Sequence, residues 1–91
     1  MVIVKASQMF EILDEKVEYF SFELTTTDLL DRVEKAQFLN GLLALSHAVE
    51  SLRDDWDNGL LDIDEVGERY NGILHGEVES MYHFYMVLLT K

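Results

Sequence analysis

Apolar residues recur at alternating intervals of three and four along most of the chain, which is the period of an α-helix. The first apolar stripe consists of Ala6, Phe10, Leu13, Val17, Phe20 and Leu24. It predicts a helix over residues 7–24, with Ser7 as its N-cap. Residues 17–24 are also rich in strand-forming types, so a strand paired with residues 1–4 is the alternative.

The second stripe lies in the middle of the chain and predicts the longest helix. Its later half contains Phe38, Leu42, Leu45, Val49, Leu52 and Trp56, and Leu30 and Val33 form a similar stripe in its earlier half. We expect this helix to cover residues 28–57, because Thr27 and Asp28 can cap its start. Gly59 is suited to the left-handed conformation that ends many helices. Gly41 lies inside the helix, where glycine costs roughly 1 kcal/mol relative to alanine and can cause a bend.

The third stripe begins at a clear helix start. Asp62 and Glu65 have the spacing of a capping box, in which each side chain accepts a hydrogen bond from the other's backbone N–H. The stripe consists of Ile63, Val66, Tyr70, Ile73 with Leu74, Glu77 or Val78, Met81, Phe84 or Tyr85, and Leu88. We therefore expect a helix over residues 62–89, packed against long antiparallel neighbours.

Three long amphipathic helices joined by short turns predict an all-α fold, a small antiparallel helical bundle. The 91 residues suit one domain, residues 1–91, and a hydrophobic content of 48% supplies its core. The chain contains no cysteine, so no disulfide supports the fold. A second copy could complete the bundle as a homodimer, because Gly72 and Gly76 would let another helix approach closely.

The charge of the chain is strongly acidic and unevenly distributed. Eighteen Asp and Glu residues against seven Lys and Arg give a net charge of -11. From Asp54 to Glu68 the chain has seven carboxylates and no basic residue. We predict that this segment binds a partner through Asp54, Asp55, Trp56, Asp57, Asp62, Asp64, Glu65 and Glu68. The alternative surface consists of Glu11, Asp14, Glu15 and Glu18 on the first helix.

Two groups of residues have spacings related to those of metal ligands. Residues 54–65 resemble a twelve-residue calcium-binding loop, but Trp56 stands third in that segment and offers no oxygen. We interpret the segment as an acidic interhelical turn. His75, Glu79 and His83 share a helix face, but the two histidines lie about 12 Å apart along the axis, too far for one ion. We expect no metal or cofactor, with a metal held between two chains as the alternative.

Several function classes are excluded by composition. Nucleic-acid binding requires a basic stripe, and this chain has none. Its apolar stretches are shorter than the roughly 20 residues of a membrane helix. It contains no phosphate-binding loop and no recognisable nucleophile. We therefore expect a soluble, cytoplasmic protein that is not an enzyme and that binds a basic protein, because opposed charges favour association.

Two classes of protein share this profile of small size, acidic charge and missing catalytic residues. Immunity proteins and antitoxins block the cationic substrate groove of a nuclease-type toxin. Phage-encoded inhibitors and DNA mimics of the anti-restriction or anti-CRISPR type occupy a nucleic-acid-binding enzyme with carboxylates that imitate phosphates. The chain resembles both classes in its profile only and contains no motif specific to either. We expect the first class, with the second as the alternative.

Overall fold

The computed structural model describes residues 5–90, which form three helical segments. They are α1 (Ala6–Thr26), α2 (Arg32–Asp57), and a third helix made of α3 (Ile63–Ile73), a π-helical turn (Leu74–Val78) and α4 (Glu79–Leu89). The predicted all-α helical bundle is confirmed. Residues 1–4, to which the alternative assigned a strand, lie outside the described range. Within that range, none of the helices is long and apolar enough to cross a membrane.

α1 and α2 run antiparallel, as contacts near their two ends show. At one end the guanidinium group of Arg53 lies 5.2 Å above the ring centre of Phe10. At the other end the ring centres of Phe20 and Phe38 are 6.0 Å apart. Residue numbers therefore increase along α1 in the direction in which they decrease along α2.

The third helix also runs antiparallel to α2. An ion pair between Asp55 and Arg69 joins the two helices beside their connecting turn. At the opposite end, the ring centres of Phe38 and Tyr85 are 5.4 Å apart. The bundle thus runs up, down and up, and the turn between α2 and the third helix lies at the end away from Phe38.

The core is centred on an aromatic cluster to which every helix contributes. It consists of Phe20, Phe38, Tyr82 and Tyr85. Phe20 and Phe38 are fully buried, and Tyr82 lies 4.9 Å from Phe20 between ring centres. These rings meet edge to face, a geometry that stabilises a pair by about 0.5–1.5 kcal/mol beyond the burial of its surface. The aromatic cluster therefore holds all three helices together.

The start of α1 differs from the prediction by two residues. The N-cap is Lys5, whose backbone N–H donates to Gln8 Oε1 at 3.0 Å, so Ser7 lies inside the helix instead of capping it. The helix continues through residues 17–24 to Thr26. The strand alternative for residues 17–24 is therefore wrong, because Val17, Phe20 and Leu24 pack into the core from one helical face.

The start of α2 was predicted four residues too early. Asp31 is the N-cap, and its carboxylate accepts a hydrogen bond from the N–H of Glu34 at 2.8 Å. Glu34 Oε1 in turn accepts a hydrogen bond from the N–H of Asp31, which completes a capping box. Thr27 is buried instead, and its hydroxyl oxygen accepts from the N–H of Leu29. Asp31 therefore offers a two-sided cap that Thr27 and Asp28 do not have.

One member of the second stripe is exposed. Val33 has 66% of its surface accessible, although the stripe placed it in the core. It lies five residues before Phe38, a separation that turns it about 140° away from the core face of an α-helix. Leu30 is buried, but from the loop before α2.

The π-helical turn in the third helix brings the apolar residues of α3 and α4 into line. Ile73 and Val78 are both buried, although five residues separate them. In a regular α-helix that separation would point them about 140° apart. The wider π turn accommodates one extra residue and so lets both side chains face the core. This explains why the sequence pattern left Glu77 and Val78 as alternatives.

Tyr85 links α4 to α1 through a partly buried hydrogen bond. Its hydroxyl donates to Glu23 Oε2 at 2.6 Å. This bond to a carboxylate, together with burial, raises the pKa of Tyr85 above its ordinary value of 10.0. Below pH 10 the tyrosine is neutral in both the folded and the unfolded chain, so the bond contributes fully.

Replacing Phe38 by alanine is expected to lower the free energy of unfolding by about 3–5 kcal/mol, because it removes the ring of α2 that contacts both other helices. Urea denaturation followed by circular dichroism measures this change. Phe22→Ala is the matched control, since Phe22 is 63% exposed. Its effect should stay within about 0.5 kcal/mol. Equal losses in the two variants would contradict the central role of the aromatic cluster.

Tyr85→Phe is expected to lower the free energy of unfolding at pH 7 by about 1–2 kcal/mol, because it removes a hydrogen bond to a charged acceptor. In the wild type this stabilisation is present below pH 10 and is lost as the pH rises through the raised pKa of Tyr85. The difference between wild type and variant should therefore shrink in urea titrations at alkaline pH. A difference that does not change with pH would contradict the assigned bond.

Candidate functional site

The predicted binding residues are gathered at one end of the bundle, which we call the acidic end. It consists of Asp54, Asp55, Trp56, Asp57, Asp62, Asp64, Glu65 and Glu68. The first four form the last turn of α2, and the last three lie in the first two turns of α3. Every member except Asp55 and Trp56 is exposed. The fold thus presents these carboxylates on a single short helix–turn–helix element.

The turn at the acidic end starts with a Schellman motif, which fixes its backbone. The N–H of Gly59 donates to the carbonyl of Trp56 at 3.0 Å, and the N–H of Leu60 donates to the carbonyl of Asp55 at 2.9 Å. Gly59 adopts a φ of +72°, a conformation that glycine adopts without strain. The predicted helix end at Gly59 is therefore confirmed.

The same turn ends in the predicted capping box. Asp62 Oδ1 accepts from the N–H of Glu65 at 2.8 Å, and Glu65 Oε1 accepts from the N–H of Asp62 at 3.3 Å. These bonds satisfy backbone donors at the start of α3. Both ends of the turn are thus held by hydrogen bonds, so its backbone has a defined conformation.

One carboxylate of the acidic end has a counter-charge that the sequence pattern did not reveal. Arg69, which follows directly after the acidic segment, donates to Asp55 Oδ2 at 2.5 Å. Both side chains remain more than one third exposed, so we expect this ion pair to stabilise the fold by only about 0.2–1 kcal/mol. Its clearer effect is to neutralise Asp55 and to tie α2 to α3.

Asp54 and Asp57 lie where the helix dipole of α2 disfavours negative charge. Both are exposed in the last turn of α2, which contains no basic residue. Within residues 5–90, neither forms an ion pair. The C-terminal end of a helix carries a partial negative charge, so each carboxylate there costs about 0.3–1 kcal/mol. Both charges therefore lower the stability of the fold.

Trp56 lies between these aspartates and reaches inward. Its side chain is partly buried and packs against the hydrophobic core. The packing explains why the helix ends with an aromatic residue. Part of the side chain stays accessible, so a bound protein could contact it.

The alternative acidic surface on α1 is also formed. Glu11, Glu15 and Glu18 are exposed, and with Phe10 they line a surface depression of about 510 Å³. Asp14 lines it too, but Arg53 donates to both of its carboxylate oxygens, at 2.9 and 2.7 Å. The bundle therefore presents a second group of acids on a different helix.

The two sets of residues with metal-like spacing take up other roles. The first four positions of the segment 54–65 lie in α2 and not in a loop. His75 Nδ1 and Glu79 Oε1 are 2.8 Å apart and form a hydrogen bond along the surface of the third helix. Within residues 5–90, no group of three or more His, Cys, Asp or Glu side chains is placed to hold a metal ion.

A groove between α2 and the third helix is the main feature that the sequence did not predict. We call it the glycine groove; it has a volume of about 750 Å³. Its lining residues are Gln37, Gly41, Ala44, Gly72, Gly76, Glu77, Ser80, Met81 and Phe84. The spacing of Gly72 and Gly76 in the sequence indicated that another helix can approach closely. Only the packing of α2 against the third helix shows that Gly41 and Ala44 lie across the groove from them.

The glycines of this groove differ in what they do for the fold. A Cβ atom on Gly41 would lie 2.5 Å from Met81 Sδ, so this glycine makes room for a buried side chain. A Cβ atom on Gly72 or Gly76 would meet nothing within 4 Å. Each glycine inside a helix costs about 1 kcal/mol relative to alanine. Packing within the bundle therefore accounts for Gly41 and leaves Gly72 and Gly76 unexplained.

No protein-family model matches this chain, and no curated protein or solved structure matches it either. What the acidic end can bind is therefore inferred from its own residues. It offers fixed carboxylates of one sign, one partly exposed tryptophan and one charge already neutralised by Arg69. Such a surface is complementary to a rigid surface rich in Lys and Arg.

The double variant Asp54→Asn/Asp57→Asn is expected to raise the free energy of unfolding by about 0.5–2 kcal/mol, since it removes two charges from the negative end of α2. Thermal and urea denaturation at low salt measure the change. The matched control is Glu15→Gln/Glu18→Gln, which removes the same charge from the middle of α1. The aspartate variant should gain more than the control. A loss of stability would contradict the unfavourable placement of these aspartates.

Proposed function

We propose that this chain is a non-enzymatic binding protein that neutralises a basic partner, as an immunity protein or antitoxin does. In this role it blocks the cationic substrate groove of a nuclease-type toxin in the cytoplasm. The observation that supports the proposal is the position of Asp54 and Asp57. The fold loses stability through both charges, whereas contact with Lys or Arg would relieve their repulsion.

The rigidity of the acidic end favours tight binding. A Schellman motif and a capping box hold the turn from both sides, so little conformational entropy is lost when a partner docks. Trp56 supplies an apolar contact among the charges, and tryptophan is enriched at the energetic centres of interfaces. The net charge of -11 would also accelerate the encounter with a cationic protein.

A DNA mimic or phage-encoded inhibitor is the second candidate, and the acids on α1 favour it. Glu11, Glu15 and Glu18 extend the negative surface beyond the acidic end. A mimic spreads its recognition over many carboxylates, so it should tolerate the loss of any two and should compete with DNA for its target. An immunity protein should depend on a few anchors and should bind one cognate toxin.

Products of the genes on either side of this one provide the first test. Each is expressed alone and together with this chain, and growth is measured. Suppression of the toxicity of a neighbouring nuclease supports the immunity function. If no neighbour is toxic, and the chain instead displaces DNA from a restriction or CRISPR enzyme, the second candidate replaces the first.

With the basic partner in hand, Asp54→Asn/Asp57→Asn is expected to weaken binding about tenfold or more, equivalent to 1.4 kcal/mol. Titration calorimetry measures the dissociation constant at low and at high salt. Affinity should fall as salt rises, because exposed charges are screened beyond about 8 Å at physiological ionic strength.

Glu15→Gln/Glu18→Gln serves as the control here too, since it removes two exposed charges that lie outside the acidic end. It should change the dissociation constant by less than about twofold, an effect of a few tenths of a kcal/mol. If the two variants weaken binding equally, the partner senses only the overall charge. If only the control weakens binding, the interface lies on α1.

A further inference from the structure

The glycine groove lies on a face of the bundle that no helix within residues 5–90 covers. All of its lining residues come from α2 and the third helix. The described chain is only 18 Å thick in its shortest dimension, against 42 Å in its longest, which corresponds to two layers of helix. α1 forms one layer over the seam between the other two helices through Phe20. The opposite side of that seam is left open.

Gly72 and Gly76 indicate which kind of structural element can bind in this groove. They lie one turn apart, and no atom of the bundle occupies the space that their side chains would fill. Glycine without a neighbour weakens a helix, and its structural use is to let another backbone come close. Ala44 presents a similarly small side chain from α2, whereas the space beside Gly41 is filled by Met81. Along Gly72, Gly76 and Ala44 the groove therefore has room for the backbone of another helix to come close.

The length of the groove also matches a helix. From Gly72 to Phe84 the third helix extends roughly 18 Å, at 1.5 Å per residue. This is the length of a helix of about twelve residues. Phe84 and Met81 give one end of the groove an apolar surface. Helices that bind in grooves place apolar residues at such positions.

The charge around the groove selects a basic occupant. Glu77 lines the groove, and Glu68 is exposed on α3 one turn before Gly72. Asp64 lies one further turn towards the start of α3, so these acids of the acidic end and Gly72 follow one another at helical spacing. Arg69 is already paired with Asp55 and does not offset these charges.

A second copy of this chain does not match that requirement. Each of the three helices contains five acidic residues, against one basic residue in α1, three in α2 and one in the third helix. Every helix is therefore net negative, and two such surfaces repel each other. The occupant has to come from a different protein.

We infer that the glycine groove binds a basic amphipathic helix of the partner. Apolar residues of that helix lie against Gly72, Gly76 and Phe84, and its Lys or Arg residues meet Glu77 and Glu68. The inference rests on the proposed function and adds the binding mode. The acidic end and the glycine groove are neighbours along the third helix, with the acidic end attracting the partner and the groove recognising a helix.

The test uses two fluorescein-labelled synthetic peptides of the same composition in Leu, Ala and Lys. One has its leucines at helical spacing, and the other is scrambled so that no apolar face forms. Fluorescence anisotropy with the full chain measures both dissociation constants at physiological salt. The amphipathic peptide is expected to bind at least about tenfold more tightly, and to shift the amide NMR signals of Gly72 and Gly76.

Gly72→Leu fills the groove, and Asn71→Leu adds the same side chain one residue away, outside the residues that line it. Gly72→Leu is expected to weaken binding of the amphipathic peptide about tenfold or more, whereas Asn71→Leu leaves it within about twofold. Circular dichroism verifies that both remain folded. Gly72→Ala, with open space around its new Cβ atom, provides a smaller change that should also weaken binding.

Three outcomes would overturn the inference. Equal binding of the two peptides, unaffected by Gly72→Leu, would mean that charge alone attracts them; the proposed function would stand if Asp54→Asn/Asp57→Asn still weakened binding of the partner. Absence of binding by either peptide would remove the groove from the binding surface. Self-association in sedimentation that Gly72→Leu abolishes would assign the groove to a second copy.

Discussion

The contact between Phe20 and Phe38 is the interaction on which the rest of the bundle depends. It joins α1 to α2, and the same two rings receive Tyr82 and Tyr85 from the third helix. The acidic end begins sixteen residues after Phe38, roughly 24 Å further along α2. The acidic end thus lies away from the aromatic cluster, and the core extends towards it through the fully buried Leu52 and Val66. The acidic end can carry an unfavourable charge density because this core holds the helices together.

Arginines limit the repulsion where the helices come together. Arg53 binds Asp14 across the α1–α2 interface, and Arg69 binds Asp55 across the α2–α3 interface. Exposed ion pairs add little stability, but each one neutralises an acid that lies at a contact between helices. Glu23, also between helices, accepts a hydrogen bond from Tyr85, whereas exposed carboxylates such as Asp54 and Asp57 are screened by water and salt.

Local features of this fold could be predicted from the sequence, because they depend on residues within one or two turns. The capping box of Asp62 and Glu65, the helix end at Gly59 and most of the apolar stripes are of this kind. Features that depend on how helices are rotated against each other could not. The pairing of Asp55 with Arg69 and the glycine groove arise only once α2 and the third helix are packed.

The π-helical turn has a consequence for how the third helix can change in length. It holds one residue more than a regular turn, and that residue keeps Ile73 and Val78 on the same face. Deleting a single residue there would leave an unbroken α-helix in which Ile73 and Val78 stand four positions apart and still face the core. Tyr85 would therefore stay in the core, and the turn at the acidic end would keep its hydrogen bonds. A deletion within α4 before Tyr85 would instead rotate Tyr85 by about 100° away from the core, so the π-helical turn is the part of the third helix that can lose one residue without changing which side chains are buried.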